Sequence, residues 1–169
     1  MRIVVGLLVL WSSLAVAKDW PCTRITTFPA LLDGCEGEKC EKADNKIRKN
    51  VVLYEKPDLK SKVVGRLKAG QTVLAHRQKT LVLRPGRFMV EDDREMLDRV
   101  EPFGVQKGDV VLALQYVGEN NYNLCIGDKF VDGWGKELEP LKTEGWSFLR
   151  SKNGSGWVRD GDWYESMGE

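Results

Sequence analysis

Four cysteines and a single histidine, Cys22, Cys35, Cys40, Cys125 and His76, are the side chains of this 169-residue chain best suited to covalent or metal chemistry. A structural zinc site needs paired cysteines two to four residues apart, with further cysteines or histidines near them. Here Cys35 and Cys40 form a Cys-x4-Cys step and His76 stands alone, so no metal or cofactor is expected. Cys125 with His76 is the sole Cys/His combination that a thiol hydrolase could use. No nucleophile signature surrounds Cys125, and that activity is only a remote alternative. The acidic run Asp92, Asp93, Glu95 and Asp98 lacks the spaced loop and bend glycine of a calcium site, and Arg94 and Arg99 interrupt it. Gly104 and Gly108 lack the spacing and the following Lys-Ser/Thr of a phosphate loop. No catalytic residue is assigned, and the chain is expected not to be an enzyme.

The cysteines gain meaning from the chain's start. Met1-Arg2, the apolar run from Ile3 to Leu10 with Trp11 and Leu14, and Ala15-Val16-Ala17 follow the pattern of a cleavable export signal. The apolar run is shorter than the roughly 20 residues of a spanning helix. Cleavage after Ala17 would leave a chain starting at Lys18, with no further long apolar run and no membrane span. The even number of cysteines behind a signal points to two disulfides, with three possible connectivities. A tight Cys35–Cys40 loop with Cys22 reaching Cys125 is the preferred one. Arg2 is the one charge in the leader, so its removal takes the 26 basic residues to 25, against 25 acidic ones. A neutral chain without basic clusters is not expected to bind nucleic acid.

Residues 18–50, broken by Pro21, Pro29, Gly34 and Gly37, read as an N-terminal extension stapled by cysteines. From Val51 the pattern is all-β. Val51–Tyr54, Lys62–Leu67 and Thr72–Ala75 read as strands separated by the turns Glu55–Asp58 and Lys68–Gln71. Residues 80–90 read as a hairpin turning at Arg84-Pro85-Gly86-Arg87. Glu91–Asp98 reads as a solvated charged loop, residues 110–131 as an antiparallel meander, and Lys136–Lys142 as a loop stopped by Pro140. Trp146 and Phe148, Asn153-Gly154 and Gly156-Trp157-Val158 read as a closing hairpin, with Trp157 in the core.

The spacing Leu53-Tyr54-x-x-Pro57-x-x-x-Ser61-x-x-Val64-Gly65-x-Leu67-x-x-Gly70-x-x-Val73 resembles the opening of a bacterial SH3 domain. The segment from Trp146 to Trp157 resembles that family's final hairpin. Together they bracket most of residues 51–165. The resemblance implies an SH3-like small barrel, here enlarged by an inserted hairpin and meander, because a domain of this kind spans only roughly 60 residues. Tyr54-Glu55-Lys56 stands where the family has Asn-Val-Arg, so its ligand contacts are not carried over.

Aromatic side chains in or beside loops are the candidate ligand contacts: Tyr54, Tyr122, Trp134 and Trp163. The resemblance and the export signal together imply a non-catalytic binding module in the periplasm or secreted. Its expected partner is a cell-wall peptide or an extended protein segment. The alternative is a structural or assembly part of an envelope protein complex, pairing through a strand edge.

Overall fold

The computed structural model describes residues 17–34 and 43–163, apart from the side chains of Ala43, His76 and Arg77. The expected leader, except Ala17, and the expected Cys35–Cys40 pair lie outside the described residues. The expected all-β class is what the structure shows, as two antiparallel sheets with, among the described residues, two short α-helices and one 3-10 turn.

The first sheet contains β1 (Ala30–Asp33), β2 (Ala43–Lys46), β3 (Val51–Tyr54), β4 (Val63–Leu67), β5 (Thr72–Arg84), β11 (Lys142–Ser151) and β12 (Gly154–Arg159). Its order is β1-β5-β11-β12-β3-β4, with β2 also on β5. Alternation packs Val51 and Leu53, Leu67, Val73, Leu149 and Val158 together on one face, with Ile47 and Trp163. The second sheet, in the order β10-β6-β7-β8-β9, is made of β6 (Gly86–Met89), β7 (Val110–Gly118), β8 (Asn121–Ile126), β9 (Lys129–Gly133) and β10 (Lys136–Glu139). The expected 110–131 meander is β7-β8-β9. The helix α1 (Arg94–Val100) lays Met96 and Val100 on this sheet against Phe88, Val111, Ala113 and Leu124. The short α2 (Asp160–Trp163) follows β12.

Several expectations are corrected. The sheet does not close into a barrel, although residues 51–75 and 145–163 do share it. β2, from the segment read as an extension, pairs with β5 from Ala43↔Ala75 to Lys46↔Thr72. It thereby fills the β5 edge that β4 would need for closure. Residues 80–90 are not a hairpin. Pro85, which has no N–H for a ladder, stands between β5 and β6, and these strands belong to different sheets. The charged run is helical from Arg94: Asp93 caps it by accepting the Met96 N–H at 3.1 Å. Lys136–Glu139 is a strand paired with β6. Trp146, not Trp157, fills the core, at 1% exposure. Trp157 lies on the same face of the hairpin as Trp146 but nearer the turn, where it is only half-buried and edge-on to Phe148.

Residues 17–34 tie the sheets together. Asp19 and Cys22 form bridges to Val110 and Gly127, and β1 joins β5 from Ala30↔Val82 to Asp33↔Lys79. The Cys22–Cys125 disulfide sits between the sheets with Val82 and Leu114, beside Phe28, Leu32 and Phe130. Asp109 is buried yet well served. It accepts from the Trp20 indole at 2.9 Å, the Gln106 N–H at 3.0 Å and the Lys18 N–H at 3.1 Å. Burial alone would raise its pKa. The Trp20, Gln106 and Lys18 hydrogen bonds, with the Lys18 charge, outweigh burial and hold the carboxyl below its ordinary value.

Two outcomes follow. The disulfide spans 103 residues, and chain entropy puts the effect of such a cross-link at about 3–5 kcal/mol. A Cys22→Ser/Cys125→Ser double variant should lose about that much in urea unfolding. A depressed folded-state pKa means that Asp109 stabilises the fold above its unfolded value near 3.8 and loses that effect as pH falls through the folded value. Asp109→Asn should therefore lower stability by about 1–3 kcal/mol at neutral pH. Its deficit relative to the parent should shrink at pH values below the folded one, as read from urea midpoints across the acid range.

Candidate functional site

A cleft of about 690 Å3 lies on the second sheet where α1, the β7–β8 turn and the β9–β10 connection converge. Gly133-Trp134-Gly135 positions its main aromatic. A Cβ on Gly133 would come within 2.7 Å of Met96 Sδ, and one on Gly135 within 2.5 Å of the Met89 carbonyl oxygen. The two glycines let α1 and β6 close in on either side of Trp134. The Trp134 N–H points to Met96 Sδ at 3.4 Å, and its indole N–H to Asp93 Oδ2 at 3.4 Å. The Arg99 guanidinium lies over the indole, 5.1 Å from its centroid, and is paired with Glu95 at 2.7 Å.

Tyr122 forms the second wall. It lies 4.5 Å from the buried Phe88 ring and edge-on to Tyr116 at 5.3 Å, ring centroid to ring centroid. Its register partners are Tyr116 on β7 and Gly133 on β9, which brings it beside Trp134. Burial, then the charge of Glu137 and the neighbouring Tyr116, push its pKa above the ordinary phenol value. At neutral pH the phenol therefore stays an O–H donor.

The rim is a two-residue turn between the paired Gly118 and Asn121. Gly118, Glu119 and Asn120 have φ of 109°, 51° and 59°. Positive φ at both central residues is the hairpin geometry that matches strand twist, and it suits Asn or Gly. Asn120 fits it, whereas Glu119 holds a left-handed conformation at a steric cost. The turn sends Glu119 and Asn121 to the cleft, and Glu137 on β10 also lines it.

The four candidate aromatics separate. Tyr122 and Trp134 share the cleft. Tyr54 is on the other sheet, edge-on to Trp146 at 6.1 Å. Trp163, 4% exposed, packs in the first sheet's core beside Leu53 and Val158. Sequence reasoning missed Phe88, Arg99, Glu119, Asn121 and Glu137. The Glu95–Arg99 spacing of four residues was a usable helix-face signal. Cys125 is bonded to Cys22 and offers no free thiol, and the His76 side chain lies outside the described residues.

No helix among the described residues is long and apolar enough to cross a membrane. No family model, no curated protein and no solved structure matches the chain.

The left-handed glutamate sets an expected outcome. Glu119→Asn should raise stability by about 0.5–1 kcal/mol, because Asn tolerates this conformation. Thermal unfolding of the two proteins side by side checks it.

Proposed function

We propose that this chain is an exported, non-catalytic binding module whose ligand site is the Tyr122–Trp134 cleft. The carrying observation is the convergence of two loop-flanking aromatics, Tyr122 on β8 and Trp134 in the β9–β10 connection, around one open cleft with polar groups on its rim. That is the usual composition of a recognition site: apolar walls with a few placed polar groups. The Cys22–Cys125 disulfide and the leader pattern support a location outside the cytoplasm, in the periplasm or beyond the cell. The SH3-like spacing of residues 53–73 supports a cell-wall peptide or an extended protein segment as ligand.

A second reading, assembly into an envelope complex, has its own observation. Among the described residues, β4 ends the first sheet with one edge unpaired, and Val63 and Val64 on it are 47% and 43% exposed. An open edge with exposed valines can accept a partner strand.

The test is co-sedimentation with purified peptidoglycan. The parent protein should pellet. Trp134→Ala should stay in the supernatant, with its fold checked by thermal unfolding, and Tyr54→Ala, altered on the other sheet, should pellet like the parent. Loss of binding by a Val64→Lys variant, with Trp134→Ala unaffected, would move the site to the β4 edge.

A further inference from the structure

We infer that the Tyr122–Trp134 cleft takes a cationic group, an ammonium or guanidinium such as the basic side chain of a peptide. This deepens the reading of the cleft as a ligand site and rests on it. Four observations converge. First, the lining carries Glu95, Glu119 and Glu137 against one cation, Arg99. Arg99 is matched to Glu95, and among the described residues Glu119 and Glu137 have no ion-pair partner. The cleft is therefore left with two uncompensated carboxylates beside aromatic faces. Second, Trp134 already holds a cation: the Arg99 guanidinium on its ring is an intramolecular instance of the contact proposed for the ligand. Third, the Asn121 side-chain oxygen is shielded from solvent and accepts no hydrogen bond within the protein, while its amide nitrogen donates to the Glu119 carbonyl at 3.3 Å. A buried acceptor without a donor is costly; Asn121 lines the cleft, and a turn of its side chain toward a ligand N–H would satisfy the oxygen. Fourth, a glutamate is kept at φ 51°, where Asn or Gly would be less strained. That conformation places its carboxylate at the rim.

The same features disfavour an anion. A carboxylate or phosphate would face Glu119 and Glu137, and the nearest cation is already engaged. Along the rim, a smaller cleft shared by Arg99, Glu119 and Asn121 adds Asp132 to the acidic side.

The experiment follows the Trp134 indole N–H and Tyr122 signals by NMR in the intact, disulfide-bonded protein. Three probes are compared: Nα-acetyl-lysine methylamide, its Nε-acetylated neutral counterpart, and N-acetylglucosamine. The lysine probe should shift both residues and weaken as salt is raised, and the neutral counterpart should bind at least about tenfold more weakly. Glu119→Gln/Glu137→Gln, which alters exposed rim side chains only, should weaken the lysine probe by about tenfold. Equal binding of the charged and acetylated probes, or an unchanged affinity in the double variant, overturns the cation assignment. Shifts with N-acetylglucosamine and none with lysine would leave the cleft as a ligand site for a neutral sugar and remove the cation. If no probe moves either residue while peptidoglycan still pellets the protein through Trp134, the cation assignment again falls and the cleft stands. If peptidoglycan fails as well, both fall.

Discussion

The pairing of Arg84 with Lys142 governs this molecule. The chain leaves the first sheet after one of these residues and returns at the other, so the intervening fifty-odd residues must start and finish at neighbouring points. Under that constraint an insertion can grow into a sheet of its own without disturbing the ladder beneath it. β5 and β11 stay paired from this point to Arg150↔Leu74, and the core around Leu53, Leu149 and Val158 is built as though the second sheet were absent. The second sheet has its own core, centred on Phe88, Met96, Val111 and Leu124. What joins the two is the layer containing Val82, Leu114 and the disulfide.

The N-terminal residues decide which edges remain. β1 and β2 occupy the free side of β5, one on each half. That keeps the first sheet open and leaves β4 as its outer strand. On the second sheet, the helix after β6 covers one face and stops where Arg99 reaches Trp134. The cleft is the space left between the end of that helix, a short strained turn and a tryptophan admitted by two glycines. It combines aromatic walls with a charged rim, the combination that the proposed selection by charge over an aromatic platform would use.

Much of the strand pattern in both sheets was legible. Val51–Tyr54, Val63–Leu67, the 110–131 meander and the Trp146–Val158 hairpin all carry period-2 patterns bounded by turn residues, and all are strands. Local pattern could not reveal partners. Nothing in Thr80–Val90 says that Pro85 separates two sheets, because a proline beside a glycine reads equally well as a hairpin turn. Ala43–Lys46 has no strand propensity, and only its place on β5 makes it one. Trp157 and Trp146 share one face of the same hairpin, and which of them is buried depends on what the rest of the chain lays over that face, which residue type does not fix. The site was half legible for the same reason. Loop-flanking aromatics found Tyr122 and Trp134. Tyr54 and Trp163 carried the same local signal, but one lies on a distant face and the other is buried. The acidic rim comes from three separate segments, and pairing alone brings them together.

The central claim is that recognition belongs to the second sheet's cleft and not to the first sheet's open edge. Amide hydrogen exchange, read residue by residue with and without soluble peptidoglycan fragments, addresses both surfaces in one measurement. The account predicts added protection confined to residues 118–122 and 133–137, with Val63–Leu67 exchanging as in the free protein. Protection running along Val63–Leu67, with the Glu119 turn and Trp134 unchanged, would contradict it.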